Sequence, residues 1–435
     1  MSGSARAFTD GGIAQPGRAP LWATFALTWI NNFGAATSLI AIYFIAKSRF
    51  DFTPRENLML GLLQGVTYIA GAMSVGVGSR LLAGPGRAIS TRALLALLQV
   101  ALAALCFMPL VFQNAWSVWL LVGIYSPLTG WLWPIIESFL SAGRTGATLR
   151  RSASVFNFSW ASSQVLTFWI ISPFLSNDPP SKPLWTIAAM GLSHLICLPA
   201  ILAIPRDPGS HDHGDDPALS TAERVNYRKL LVCFRIAIVM SYVVYSALNP
   251  LLPARMSALG IAEGSPANTL LTSVWMSSRV LMFLAMGAWA GWHGRRHALV
   301  WSIALLLGGF ATCMLAPNIP IMAFGLAVFG VGLGAIYSAA FYYAMEVGSA
   351  AVDAGGKHEA LIGLGYTAGP LAGLGAEMAI LANLIPGSAR THGGEAVATH
   401  LAGSGQLPLV TLIAVLVLAL PAIALIVRQA RDKSQ

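Results

Sequence analysis

Charge is what this chain lacks. Asp, Glu, Lys and Arg make up 10% of its 435 residues, against 56% hydrophobic residues and a mean hydropathy of +0.68. A soluble globular protein carries about 25% charged residues. That shortage excludes a soluble enzyme, a nucleic-acid binder and a disordered protein. Cysteine is also scarce. Cys106, Cys197, Cys233 and Cys313 stand singly in apolar runs, with no CxxC, so they read as packing residues and not as a disulfide or metal framework. The first 20 residues hold no apolar core, so a cleaved signal peptide is not expected. There is no GxxxxGK[ST] loop for ATP and no HExxH for zinc. What remains is a polytopic membrane protein.

A spanning helix needs roughly 20 apolar residues. Twelve stretches qualify. They begin near Leu21, Asn57, Thr91, Ala115, Ser152, Leu184, Leu230, Pro266, Ala298, Pro320, Glu359 and Leu407. No run alternates with period two over about ten residues, which argues against a transmembrane barrel. The excess of 26 Lys and Arg over 17 Asp and Glu is not a nucleic-acid patch, because no basic cluster is interleaved with aromatics. With a cytoplasmic N-terminus, eighteen of the 26 fall in inside loops, six fall outside, and Arg235 and Arg279 lie within spans. The bias predicts both termini in the cytoplasm of a cell that keeps this protein in its (inner) membrane, and it requires an even span count.

The most polar segment, 206–229, divides the chain. The expected organisation is a cytoplasmic tail (1–20), a first bundle (21–205), a central cytoplasmic loop (206–229), a second bundle (230–428) and a short tail (429–435). His211, Asp212, His213, Asp215 and Asp216 in the loop read as a solvated linker in preference to a metal site. The Gly-rich outside stretch from Pro386 to Gln406 has no evident role.

The halves repeat. Trp133–Glu137 near the end of span 4 matches Tyr342–Glu346 near the end of span 10, an offset of 209. Phe156–Ser162 in span 5 matches Ile362–Ala368 in span 11 at 206, and Gly86-Arg87 matches Gly294-Arg295 at 208. Six spans per repeat give both halves one orientation, related by an axis along the membrane normal. Spans 3, 9 and 12 are nearly bare of polar groups, and span 6 carries only His194. Every third helix therefore reads as outer scaffold, and the other eight surround something polar.

These features resemble the major facilitator superfamily over nearly the whole chain. Gly287-Ala288-Trp289-Ala290-Gly291-Trp292-His293-Gly294-Arg295-Arg296 is similar to that family's GxxxDRxGRR loop motif, with Gly291 and Trp292 in place of Asp and Arg. The first-half copy keeps Arg80, Gly86 and Arg87. Glu137 followed by Arg144 resembles the sugar-porter spacing, and Glu346 takes the equivalent place with Asp353 where the arginine would stand. The resemblance implies an all-α membrane protein with 12 transmembrane helices in two six-helix bundles related by a parallel pseudo-twofold. It also implies a cytoplasmic gate in which Glu137 and Glu346 pair with Arg87, Arg144, Arg295 or Arg296. Gly369-Pro370 looks like a drug-antiporter motif but sits in span 11, and it reads as a kink and close-packing site.

Buried ionisable groups are the sharpest leads, since a charge at a helix centre costs about 2.5–3.5 kcal/mol on insertion scales. Arg279 in span 8 is either paired with Glu377 or helix carbonyls, or it is a ligand for an anionic solute. Glu377 in span 11 is the candidate for proton coupling, with pairing or an aqueous vestibule as the blander reading. Neutral candidates for a cavity are Asn31 and Asn32 in span 1 and Tyr242, Tyr245 and Asn249 in span 7. Gln64 and Tyr68 in span 2, Asn157, Trp160 and Gln164 in span 5, and Tyr337 in span 10 complete the set. An interhelical hydrogen bond of about 0.6 kcal/mol is the default for any one of them.

The function expected is secondary active transport of a small organic solute, with an anion among the candidates. It would work by alternating access, driven most simply by protons. The partners are the solute, protons and the lipid bilayer, with no nucleic acid. The chain would act as a monomer, with no cofactor and no metal. A lipid or amphiphile flippase and a multidrug exporter stand as alternatives on the same fold, ahead of an integral-membrane enzyme or a transporter-like sensor.

Overall fold

A computed structural model describes residues 18–144, 146–175, 181–209, 220–262, 265–347, 352–381 and 406–431. The linker histidines and aspartates at 211–216, the stretch 386–405 and both tail ends lie outside the described residues, as does the side chain of Asp353.

The described residues form helices joined by turns, and consecutive helices group into twelve rods. We number them α1 (Leu21–Phe50), α2 (Pro54–Leu82), α3 (Thr91–Phe112), α4 (Ala115–Ser141), α5 (Gly146–Ile171), α6 (Lys182–Leu202), α7 (Thr221–Ala258), α8 (Pro266–Ala288), α9 (His297–Leu315), α10 (Ile319–Val347), α11 (Val352–Leu381) and α12 (Gln406–Arg431). Ten are long and apolar enough to cross a membrane. The other two, α5 and α11, are as long but hold more charged and hydroxylated residues.

Local chemistry places the boundaries. Thr53 and Glu56 cap α2 reciprocally, and Pro54 at the first helical position suits the free end. Ser220 and Glu223 do the same for α7. The helix therefore begins at Thr221, ahead of the apolar run that starts near Leu230, because a good cap lets a polar first turn extend beyond that run. A π-helical turn, Thr37–Ala41, interrupts α1.

Packing follows the repeat. α1 lies on α5 as α7 lies on α11, and α2 lies on α4 as α8 lies on α10. Between the halves, α2 packs along α11 and α5 along α8. Adding six to each number turns every one of these pairings into another that is present. Glycines make the α2–α11 seam close. A Cβ at Gly65 would lie 2.5 Å from the Thr367 backbone nitrogen, and one at Gly356 would lie 2.7 Å from the Ala72 carbonyl. Gly369 lies against α7 in the same way, where a Cβ would meet Ser246 Oγ at 2.1 Å. The four cysteines are free and buried.

Candidate solute cavity

The seam between the halves holds a cavity of about 630 Å³, counting the solvent at its mouth. Its walls come from α1, α2, α4, α5, α7, α8, α10 and α11. None comes from α3, α6, α9 or α12.

Of the residues predicted from sequence, Asn32, Tyr68, Trp160, Gln164, Tyr242, Tyr245, Arg279 and Tyr337 line this space. The Asn32 amide donates to the Trp160 carbonyl at 2.6 Å, tying α1 to α5. The Arg279 guanidinium is buried, donates to Gln164 Oε1, and stacks 4.3 Å from the Trp160 ring and 4.9 Å from the Trp275 ring. Its Nε has no hydrogen-bond partner. Among the described residues no carboxylate pairs with it. Cation–π contacts are worth about 2 kcal/mol when desolvated, so the aromatic cage offsets part of the burial cost and leaves the positive charge unneutralised.

The expected pair of Arg279 with Glu377 is not formed. Glu377 lies 11 residues beyond Tyr366 on α11, roughly 16 Å along the axis, and its carboxylate sits 3.9 Å from Arg55 Nε in the first turn of α2. The geometry places Glu377 beyond the cavity. Asn31 turns into the first bundle instead of the seam, its Oδ1 2.6 Å from His194 Nδ1. Gln99 Oε1 shares that nitrogen at 2.9 Å, and the Tyr125 hydroxyl lies 2.7 Å from Nε2. Amide oxygens only accept, so Nδ1 donates and Nε2 accepts. Gly34 makes room for this ring, since a Cβ there would lie 2.5 Å from His194 Nε2. Gln64 accepts from Tyr43 at 2.9 Å. Gln64, Asn157 and Asn249 are buried but lie outside the cavity lining.

Glu359, Ile362 and Tyr366 on α11, Trp133 on α4, Phe156 on α5 and the aliphatic Ala35, Leu39 and Ile40 on α1 complete the wall. Their signal in the sequence is the helical spacing 359, 362, 366, which puts three residues on one face of α11. Glu359 accepts from the Tyr68 hydroxyl.

At the end predicted to be cytoplasmic, Arg144 does not pair with Glu137. Its guanidinium folds back on the free carbonyls of the α4 terminus, Leu140 O at 2.5 Å, and on Ala19 O at 2.5 Å. Helix C-termini favour such cations, and Glu137 is left facing α11, where a Cβ at Gly355 would be 2.8 Å from its Oε2. Arg87 and Arg295 are exposed, Arg296 is half-buried, and Glu346 lies beside Tyr227 and Tyr342.

The loop after α8 is held by rings. Trp292 is buried, donates to the Met286 carbonyl at 3.0 Å, and meets His293, Tyr342 and Tyr343. His293 stacks flat on Tyr342 with centroids 4.5 Å apart. Burial, then the charge of Arg150, pushes the His293 imidazole down to about 4. A base with a lowered folded value is neutral in the fold, so stability is unaffected at high pH and falls as pH drops from the ordinary value of about 6.5 towards 4. The melting temperature of the purified protein should fall over that window. It should fall less steeply in His293→Phe, which keeps the stack. Equal slopes would remove His293 from this role.

No protein-family model and no curated protein sequence matches the chain. Solved structures do. A variant of the nucleoside transporter NupG aligns over 93% of this chain and 99% of its own, with a TM-score of 0.63 at 13% identity. The chain has the major facilitator fold. A bacterial homologue of the human lysosomal transporter Spinster, inward-facing and unoccupied, aligns over 94% and 96%, with a TM-score of 0.63 at 12% identity. The human organic anion transporter MFSD10 (TETRAN) aligns over 91% and 98%, with a TM-score of 0.56 at 11% identity. At these identities the major facilitator likeness is one of fold, and the cavity lies where that fold brings its two halves together.

Proposed function

We propose that this chain is a secondary active transporter, not an enzyme, that moves a small organic anion bearing a planar ring. All twelve rods cross the membrane as two like-oriented bundles, with both termini cytoplasmic in the cell's inner membrane. The pairings that persist when each helix number rises by six support the parallel pseudo-twofold. The neighbours transport nucleosides or organic anions, or resemble a lysosomal transporter, which supports a soluble organic solute. A proton gradient supplies the energy.

One observation carries the solute class. Arg279 is a buried cation without a carboxylate partner, in a wall of tyrosine and tryptophan. An incoming carboxylate would neutralise the charge through the guanidinium fork, and the rings offer faces for stacking. A lipid carrier would want an apolar, laterally open space. This cavity instead carries a buried guanidinium, a carboxyl and several phenols among its apolar side chains, and the closely packed α2–α11 seam flanks it.

Thermal-shift measurements on the purified protein with benzoate and with benzamide test the reading. A ligand at 100 times its Kd stabilises by about 2.7 kcal/mol. Benzoate should raise the melting temperature and the neutral amide should not. Equal responses to both, or none to benzoate, would contradict the anionic class.

A further inference from the structure

Two acidic side chains from opposite halves meet beside the cavity. Glu137 on α4 is 1% exposed and Glu359 on α11 is 3% exposed. They lie within hydrogen-bonding reach of each other. Among the described residues, neither forms an ion pair. Both Glu137 oxygens lack any hydrogen-bond donor, whereas Glu359 accepts from Tyr68 on α2. An ionised carboxylate only accepts. With both groups ionised, Glu137 keeps two bare oxygens and two like charges stand side by side in a dry site. A single proton between them turns one carboxyl into a donor and satisfies the contact. The lack of a side chain at Gly355 gives Glu137 the room to reach α11.

We propose that Glu137 and Glu359 form a two-carboxyl site that holds one proton between the halves and carries the coupling proton. This rests on the reading of the chain as a proton-driven transporter. The other polar neighbours are Tyr68, Tyr366 and Tyr242, with Tyr337 on α10. Arg279 lines the same cavity but is turned to Gln164. His358, next to Glu359 in sequence, packs against Tyr337 and Phe341, with Arg235 as its charged neighbour. A hard metal cation takes about six oxygens, more than these two carboxyls and one phenol supply, so the site suits a proton. When α4 and α11 separate as the inner end opens, the shared hydrogen bond breaks. Each carboxyl then meets water, and the proton leaves to that side. Proton release is in this way tied to the conformational step.

Infrared titration of the protein in lipid, following the protonated-carboxyl band against pH, tests the pair without any solute. The wild type should lose one buried carboxyl band as pH rises. Glu359→Gln should abolish that band, and Glu137→Gln should shift or abolish the same one. Tyr68→Phe should move it without removing it. A band untouched by Glu137→Gln would show that Glu359 titrates alone and overturn the shared site. A band that survives both glutamine variants would overturn it as well, and so would one that sodium chloride removes at constant pH. The transport reading is tested separately, by accumulation of radiolabelled benzoate in vesicles under an imposed pH gradient. If the bands behave as expected but no gradient-driven uptake occurs, the two-carboxyl site stands and the proton-driven reading fails. If uptake follows the gradient equally in wild type and both glutamine variants, the reading stands and the pair does not carry the coupling proton.

Discussion

Arg279→Ala should weaken benzoate binding by roughly 30-fold to several-thousand-fold, the effect of about 2–5 kcal/mol for truncating one member of a buried charge pair. Two features of the cavity set that size. The guanidinium is desolvated, so its attraction for a carboxylate is little screened, and its Nε is free to donate. Folding should survive, because removing an unneutralised buried charge also removes its desolvation cost. Arg279→Lys should fall between, keeping the charge but losing the planar fork and the stacking on Trp160 and Trp275. Calorimetric titration of benzoate into the three proteins checks this. Equal affinity in all three would take Arg279 out of the site.

The second large effect is mechanical. Gly65→Val should force the α2–α11 seam apart, because the added atoms meet the Thr367 nitrogen and the Tyr366 carbonyl carbon, which are backbone and cannot swing aside. Overpacking of this kind costs about 1–3 kcal/mol, enough to move a two-state equilibrium by roughly 5- to 150-fold. A thiol placed at Leu58→Cys reports on it, since Leu58 is buried against Gly373 on the same seam and the four native cysteines are buried. Its reaction with maleimide should accelerate when Gly65 becomes valine. It should not change with Gly308→Val, where an added Cβ meets nothing within 4 Å. Unchanged protection in Gly65→Val would mean that the seam absorbs the bulk.

Helix positions and the division into eight lining and four outer rods could be read from the chain, because a bilayer imposes length and apolarity on each helix and tolerates polar groups only on inward faces. The bareness of α3, α9 and α12 is that constraint written in residues. Side-chain direction was less legible. Asn31 and Asn32 are adjacent, yet one enters the His194 network and the other the cavity, since neighbours on a helix point about 100° apart. Glu377 and Glu359 share α11, and the sequence singled out Glu377 because it falls inside the apolar run, whereas Glu359 marks where that run begins. Its position opposite Arg55 depends on the register of α2 against α11, which the Gly65 and Gly356 contacts set in three dimensions. Likewise Glu137 and Arg144 have the spacing of a gate pair, but the free carbonyls at the end of α4 claim the guanidinium first.

The central claim is that the Arg279 cavity opens to each side of the membrane in turn. Ala35 lines it on α1 and is 3% exposed, so a cysteine there is shielded until the cavity opens. An impermeant maleimide applied to oriented vesicles carrying Ala35→Cys should modify the thiol from either face, and benzoate should protect it on both. Modification from one face only, or modification indifferent to benzoate, would contradict the account.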